Sequence, residues 1–474
     1  MHVIIIGAGP TGLGAAWRLQ EQNHPTWLLF EAADQAGGLA ASFVDAQGFT
    51  WDVGGHVQFS HYDYFDQVMQ KLLGAYGWLH HQRESWVWIR DRFVPYPFQN
   101  NIRRLPPAEL DRCLQGLVQI TRAPRPKPVN FGEWIEAMFG PGIAEVFLRP
   151  YNFKVWAFPP EMLNTQWVGE RVAVTDLGRV LHNLVLAKDD LSWGPNNQFQ
   201  FPRQGGTGAI WRACAGRLPP ERLHFNARVT SIKLDRREVA TGDGRTFHYD
   251  RLISTLPLRQ LIRLTGQDQL ERLAKQSLLY SSSNIVGLGL KGRPGPELAT
   301  KCWMYFPEDN CPFYRVTVFS NYSPNNVPET DRHWSLLCEV SESRYRPVNQ
   351  TGLLEEVIQG AMNARLIERR EEVISTWSYR APYGYPIPGL HRDAALGEIL
   401  PAFEAHDVYS RGRFGAWKYE VGNQDHSFMQ GVEIVERLLR GRPEITIADP
   451  NHANSKKHPF PFERWLAAEA GQAS

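Results

Sequence analysis

The stretch Val3-Ile4-Ile5-Ile6-Gly7-Ala8-Gly9-Pro10-Thr11-Gly12 decides the fold of this chain. Val3 to Ile6 is a short β-branched run suited to a buried parallel strand, three glycines follow at GxGxxG spacing, and Leu13 to Gln20 repeats apolar residues at helical intervals. The spacing predicts strand, tight turn and helix. Gly7, Gly9 and Gly12 permit the turn and let the backbone approach a pyrophosphate, whose negative charge is favoured by the free N–H groups at a helix N-terminus. A second strand, Trp27 to Phe30, ends in Glu31, 19 residues beyond Gly12. A carboxylate there accepts hydrogen bonds from a ribose 2′-hydroxyl and disfavours a 2′-phosphate. These residues predict a dinucleotide site on a Rossmann-like α/β fold.

The chain has 474 residues, with 51 Lys and Arg against 50 Asp and Glu, for a formal net charge of +1. That balance excludes nucleic-acid binding by bulk positive charge, and a hydrophobic content of 43% excludes disorder as the dominant state. The length asks for two or three packed units. Cys113, Cys214, Cys302, Cys311 and Cys338 form no CxxC pair, and their odd number argues against a disulfide framework. A reducing, cytoplasmic location is expected. The first apolar run turns into glycine within a few residues, unlike a signal peptide, and no later run approaches the roughly 20 apolar residues of a membrane span. No metal site is expected.

Pro124, Pro126 and Pro128 separate a helical stretch, Pro107 to Thr121, from resumed helical periodicity at Phe131 to Phe139. From Leu223 to Ile253 the pattern is strand-like, with a hairpin turn at Gly242-Asp243-Gly244, and Ile285 to Val340 carries further β-rich runs. The nucleotide fold is therefore read as interrupted and resumed. Residues 1–95, 200–270 and 400–450 are assigned to a discontinuous nucleotide-binding domain, 101–190 to an inserted, mainly helical domain, 275–400 with part of 80–100 to an antiparallel β-sheet domain, and 451–474 to a C-terminal tail. Asn423-Gln424-Asp425-His426-Ser427 leads into the helical pattern Phe428 to Leu439, with Asp425 or Ser427 as the expected N-cap.

Several segments gather aromatics, amides and arginines: Tyr96-Pro97-Phe98-Gln99-Asn100, Tyr151 to Trp156, Gly169-Glu170-Arg171, Trp193 to Asn196, Cys302 to Tyr305, and Phe313-Tyr314-Arg315. Rings stack on a base or sugar face, amides read a uracil edge, and two arginines from separate segments clamp a diphosphate through charge-assisted bonds.

Two glycine pairs that a NAD-type fold does not require, Gly37-Gly38 before Leu39 and Gly54-Gly55 before His56, resemble the FAD-binding form of the fold in the flavoprotein superfamily that includes the amine oxidases. Longer strings then match in order through nearly the whole chain: DVGGHVQFSHYDYF from Asp52, VPYPFQNNI from Val94, RPYNFKVWAFP from Arg149, GERVA from Gly169, WGPN from Trp193, CWMYFPEDNCPFYR from Cys302, EVSES from Glu339 and KYEVGNQDHSFM from Lys418. They closely resemble the UDP-galactopyranose mutase family in its eukaryotic form.

The resemblance implies an FAD-dependent isomerase interconverting UDP-galactopyranose and UDP-galactofuranose, in which N5 of reduced FAD attacks the sugar anomeric carbon with no net redox change. It implies Arg171 and Arg315 as a diphosphate clamp, with Tyr305, Tyr385 and Tyr419 donating to the same oxygens. Tyr96 and Phe147 would flank the uracil, Phe98 and Gln99 would read its edge, and Asn152 and Trp156 would meet the ribose or its neighbours. Arg83, Asn196, Trp303 and Asn423 join the substrate site. His56 would lie beside the flavin and respond to its redox state. The implied FAD set adds Gly38, Leu39, Gly54, Gly55, Val229, Arg413, Asn423, Asp425 and Ser427 to Gly7, Gly9, Gly12 and Glu31.

Gly169 to Val174 and Ser192 to Asn197 resemble the family's mobile flaps. No second GxGxxG unit is present, so NADPH or NADH would enter the substrate cleft as reductant, as in the family. Ser192 stands where fungal members carry Asn, and the segment between Tyr322 and Trp334 is shorter than theirs, so no subunit count carries over. Three alternatives share the fold: an amine or porphyrinogen oxidase, a non-catalytic binding protein like the GDP-dissociation inhibitors, and a mutase for another sugar nucleotide. An oxidase has no need of two arginines facing a diphosphate. The glycines and Glu31 argue for retained flavin. The third differs only in the few hydrogen bonds that sense hydroxyl stereochemistry.

Overall fold

Val3–Ile6 is covered on both faces, which is why its four positions can all be apolar and β-branched. It is the middle strand of a five-stranded parallel sheet in the order Val408–Ser410, Arg251–Ser254, Val3–Ile6, Trp27–Phe30, Leu223–His224. The computed structural model describes residues 1–122, 127–191, 194 and 197–466. Within them the fold is an α/β architecture built on several sheets.

The first helix, Pro10–Glu21, begins three residues before the expected Leu13, because Pro10 is preset for a first helical position. It packs against the long C-terminal helix Gln424–Arg440 at two glycines. A Cβ on Gly14 would overlap the carbonyl of Phe428, and one on Gly431 would overlap the carbonyl of Thr11. Arg18 seals the same contact, donating from Nε to Glu436 Oε1 at 2.7 Å. Gln424–Arg440 starts earlier than the expected Phe428, with Asn423 at its N-cap and no side-chain cap bond. Asp425 and Ser427 therefore lie inside the helix and neither caps it. Asp425 is instead engaged by His61, whose backbone N–H and Nδ1 lie 3.0 and 2.8 Å from its Oδ2.

A second, seven-stranded sheet runs in the order Val373–Pro386, Tyr280–Lys291, His333–Glu342, Arg315–Val318, Trp303–Tyr305, Ser85–Ile89, Arg92–Pro95. It departs from the expected antiparallel sheet at one pair, Ser85–Ile89 with Trp303–Tyr305, which runs parallel because these strands come from distant parts of the chain. The expected hairpin at Gly242 to Gly244 joins Glu238–Thr241 to Thr246–His248, with Gly244 at φ +84°.

The helices Pro107–Arg122, Phe131–Ile143, Arg149–Trp156 and Leu177–Val185 share a core that includes Phe98, Phe131, Phe139, Phe147 and Trp156. The segment expected as a C-terminal tail packs into the nucleotide-side core as far as residue 466. Phe462 and Trp465 are 2% and 0% exposed there, since the apolar rings find room beside Tyr62 and the long C-terminal helix. No described helix is long and apolar enough to cross a membrane.

Candidate functional site

One cavity of about 730 Å³ receives the glycine turn, the N-termini of both long helices and one face of the seven-stranded sheet. At its first end, Gly7 holds φ +104°, a conformation only glycine adopts without strain, and a Cβ on Gly12 would overlap the Gly7 carbonyl. Gly12 thus serves the close packing of helix on turn and does not line the cavity. Gly9 and Gly38 do line it, and a Cβ on Gly9 would find nothing nearer than Gly37 O at 3.8 Å. Smallness at Gly9 is therefore not required by this chain's own packing, which is what a close ligand approach requires.

Neither long helix has a side-chain N-cap bond, and Thr11, Gln424, Asp425 and Ser427 of their first turns all line the cavity. Two positive helix ends thus open into one space. Glu31 lines it too, while accepting backbone N–H bonds from Ala8 at 2.7 Å and Ala33 at 2.8 Å. This cradle of glycines, open helix starts and a carboxylate fits a flavin adenine dinucleotide.

The middle of the cavity carries Leu39, Gly54, Gly55 and His56. Burial pushes the His56 imidazole down to about 4, the Glu339 carboxylate opposes this, and Arg315 and Arg413 add to it, so the ring is neutral near pH 7. Its Nδ1 is buried and has no hydrogen-bond partner among the described residues.

The sheet contributes one transverse row. Tyr305 pairs with Arg315, Arg315 with Glu339, and Glu339 with Ile285, so the four share a face, and all line the cavity. Arg315 donates from Nε to Glu339 Oε1 at 2.7 Å and from Nη2 to Oε2 at 2.8 Å. Glu339 also accepts from the Tyr314 hydroxyl at 2.7 Å and from the Gly55 backbone N–H at 3.1 Å. Burial pushes the Glu339 carboxyl up, but Arg315 and these donors outweigh it and hold it below the usual range.

Four arginines face the cavity: Arg83, Arg171, Arg315 and Arg413. Arg83 and Arg315 lie over the Trp303 ring at 5.7 and 5.3 Å. Arg171 lies over Tyr419 at 5.5 Å and donates to the Glu420 carbonyl at 2.6 Å. Arg413 lies over Tyr385 at 5.1 Å and donates to the carbonyls of Gly384 and Gly422, with no carboxylate partner among the described residues. Burial lowers its pKa. Tyr96, Tyr305, Tyr385, Tyr419 and Asn423 complete the wall. Cations outnumber anions at this end, so the geometry suits an anionic ligand carrying several acceptor oxygens.

Other expected residues sit behind that wall. Phe98 packs on Phe147 at 4.5 Å, and Phe147 stacks on Tyr151 at 5.2 Å. Gln99 donates through Nε2 to the Ala173 carbonyl, and Asn152 donates to Leu148 O at 2.8 Å. Trp156 is 2% exposed, with its edge toward Tyr385 and Tyr419. Val229 is a core residue of a three-stranded sheet and does not line the cavity. Asn196, with Ser192, Trp193 and Pro195 of the second flap, lies outside the described residues.

Sequence reasoning quoted Glu339 and Tyr314 within motifs but assigned neither of them a role in the site. The available signal was a single carboxylate inside the apolar run Leu336-Leu337-Cys338-Glu339-Val340, where burial of a charge demands a partner.

Comparison with known proteins follows the same lines. Residues 10–384 match the family model described as flavin containing amine oxidoreductase. A crystal structure of reduced UDP-galactopyranose mutase is 50% identical, with a TM-score of 0.94 over 98% of this chain and 99% of that one. A candidate protoporphyrinogen oxidase from an Exiguobacterium species shares the fold at 17% identity and a TM-score of 0.70, over 93% of this chain and 99% of that one. The chloroplastic zeta-carotene desaturase of Zea mays is 39% identical over 72 residues, 15% of this chain and only 12% of the desaturase's own length.

Proposed function

The chain belongs to the flavin-containing amine oxidoreductase family and, within it, to the UDP-galactopyranose mutases, and from this premise we propose that it interconverts UDP-galactopyranose and UDP-galactofuranose without net redox change. The observation that carries the reading is the four-arginine, tyrosine-lined end of a cavity whose other end fits a flavin dinucleotide. Bound and reduced, the flavin supplies a nucleophilic nitrogen, N5, to the sugar's anomeric carbon.

This chain's residues then do the positioning. Arg171 and Arg315, with hydroxyls from Tyr305, Tyr385 and Tyr419, stabilise the charge that develops on the departing diphosphate. Arg83 and Trp303 extend that surface. Neutral His56 faces the flavin without adding a charge beside it. Tyr96 and Phe147 hold the uracil, with Phe98 and Gln99 at its edge and Asn152 and Trp156 near the ribose. Gln99 now donates to Ala173, in the flap Gly169 to Val174, so movement of that flap frees the amide for the base.

NADPH or NADH is proposed to reduce the flavin from within the same cavity. All five cysteines are free and buried, which supports a reducing, cytoplasmic setting.

The test is to incubate the flavin-loaded protein with UDP-galactofuranose, with and without dithionite, and resolve the nucleotides by chromatography. Conversion to the pyranose only after reduction is expected. Absence of conversion by a fully reduced enzyme would overturn the reading, and turnover of another sugar nucleotide would redirect it.

A further inference from the structure

The Arg315–Glu339 pair is an unusual object in a site that must accept an anion: a carboxylate, 3% exposed, already occupies two donors of the cation assigned to the ligand. The register of the sheet imposes this, since Arg315 and Glu339 are directly opposed on neighbouring strands. Both bonds fall on the Nε and Nη2 edge of the guanidinium, leaving Nη1 without a hydrogen bond among the described residues. Glu339 has further tasks. It accepts the Tyr314 hydroxyl, which in turn lies 3.3 Å from the Tyr385 hydroxyl, and it accepts the Gly55 N–H. Cβ atoms on Gly54 and Gly55 would stand 3.5 and 3.3 Å from its carboxylate oxygens, and one on Gly55 would also crowd Thr317 Oγ1 at 2.6 Å. Gly55 is needed for space, while Gly54, whose added Cβ would make only ordinary contact, is needed for its backbone at φ +104°.

We propose that Glu339 is the positioning residue of the diphosphate end: it fixes the guanidinium of Arg315 so that Nη1 faces the ligand, and it ties that cation to the Gly54–Gly55 loop carrying His56. This rests on the sugar-nucleotide reading above. Glu339 touches neither the sugar nor the flavin in this assignment and acts through Arg315 and the loop. Removing one partner of a buried bidentate pair leaves the other mis-set and uncompensated, whereas removing both leaves no stranded charge. The two substitutions should therefore not add.

The test is a double-mutant cycle on flavin-loaded enzyme with Glu339→Gln, Arg315→Ala and both together, scored by reduced turnover and by the UDP dissociation constant. Glu339→Gln alone should lose at least tenfold in turnover and weaken UDP, with flavin retained. In the Arg315→Ala background it should cost no more than about twofold further, and the double variant should melt above Arg315→Ala. Wild-type turnover and UDP affinity in Glu339→Gln, or losses that multiply in the double variant, would overturn the assignment. Should Glu339→Gln not accumulate folded, Glu339→Asp replaces it in the same cycle. Asp keeps the charge and withdraws it by one methylene, so a role in charge alone would leave turnover unchanged and refute positioning. A wild type that binds UDP but converts no UDP-galactofuranose would refute the proposed reaction, while the cycle is still decided on UDP affinity. A wild type that binds no UDP would remove the inference as well.

Discussion

Arg171 and Arg315 make the most direct residue-scale prediction. Arg315→Ala or Arg171→Ala should each lose on the order of 10²-fold in turnover, as when a donor to developing charge is removed. Flavin content, read from its visible absorbance relative to protein, should stay unchanged, because neither side chain belongs to the glycine cradle. His56→Ala should likewise keep its flavin and lose turnover in fully reduced enzyme, and wild-type rates there would exclude His56 from the reaction.

Asp52 gives a stability test away from the ligand. It is fully buried, and burial raises its carboxyl from 3.8 to about 6 against bonds from the Ser42 hydroxyl and the Thr207 N–H. The folded chain therefore holds this proton where the unfolded chain has released it. Its contribution to stability is complete below the unfolded value and is lost as pH rises from about 4 through about 6. Asp52→Asn should flatten that part of the profile, seen as a smaller shift in denaturant midpoint between these pH values. Among single residues the glycines, Glu31 and the arginines were legible from spacing and motif. Glu339 was not, because its meaning lies in the strand opposite, and no one-dimensional pattern states which residue faces it.

At the scale of elements, the two long helices, whose apolar side chains share one core, approach most tightly at Gly14 and Gly431. Gly431→Ala should force them apart at the cost of overpacking, roughly 1–3 kcal/mol. It should lower the melting temperature and release flavin, because the N-termini of the same helices open onto the cradle. Unchanged melting and flavin content would show that the contact has slack.

The strand Val3–Ile6 and its following helix were readable because one local pattern, a β-branched run and a glycine turn, fixes both. The N-cap of Gln424–Arg440 was misread for a physical reason: Asp425 has the chemistry of a cap, but buried His61 competes for it more effectively than the backbone. Phe98 and Phe147 were placed at a ligand by resemblance, and in the structure they pack on each other behind the cavity wall, so the proposed contact with uracil requires that wall to move. Exposure of an aromatic to a cavity depends on flap position, which residue identity does not encode.

Over the whole molecule, the cavity draws on the first turn, the sheet edge near residue 96, the segment near residue 171, the long strands after residue 280 and the last long helix. Few of these segments are neighbours in sequence, so the fold class was legible but the assembled wall was not. Because the cavity is formed only by the native arrangement, flavin should stabilise the protein by mass action, about 2.7 kcal/mol at a free concentration of one hundred times the dissociation constant. Melting temperature should rise with added FAD and level only logarithmically.

The glycine seam between the first and last long helices also has a temporal side. Arg18 and Glu436 are 418 residues apart, and a ribosome adding roughly 5–20 residues per second needs on the order of 20–80 s to travel between them. During that interval the nascent glycine turn has no partner helix and half a cradle. Cofactor capture must therefore be one of the last events of synthesis, and a chain halted just after Gly422 should leave the ribosome colourless however much FAD surrounds it.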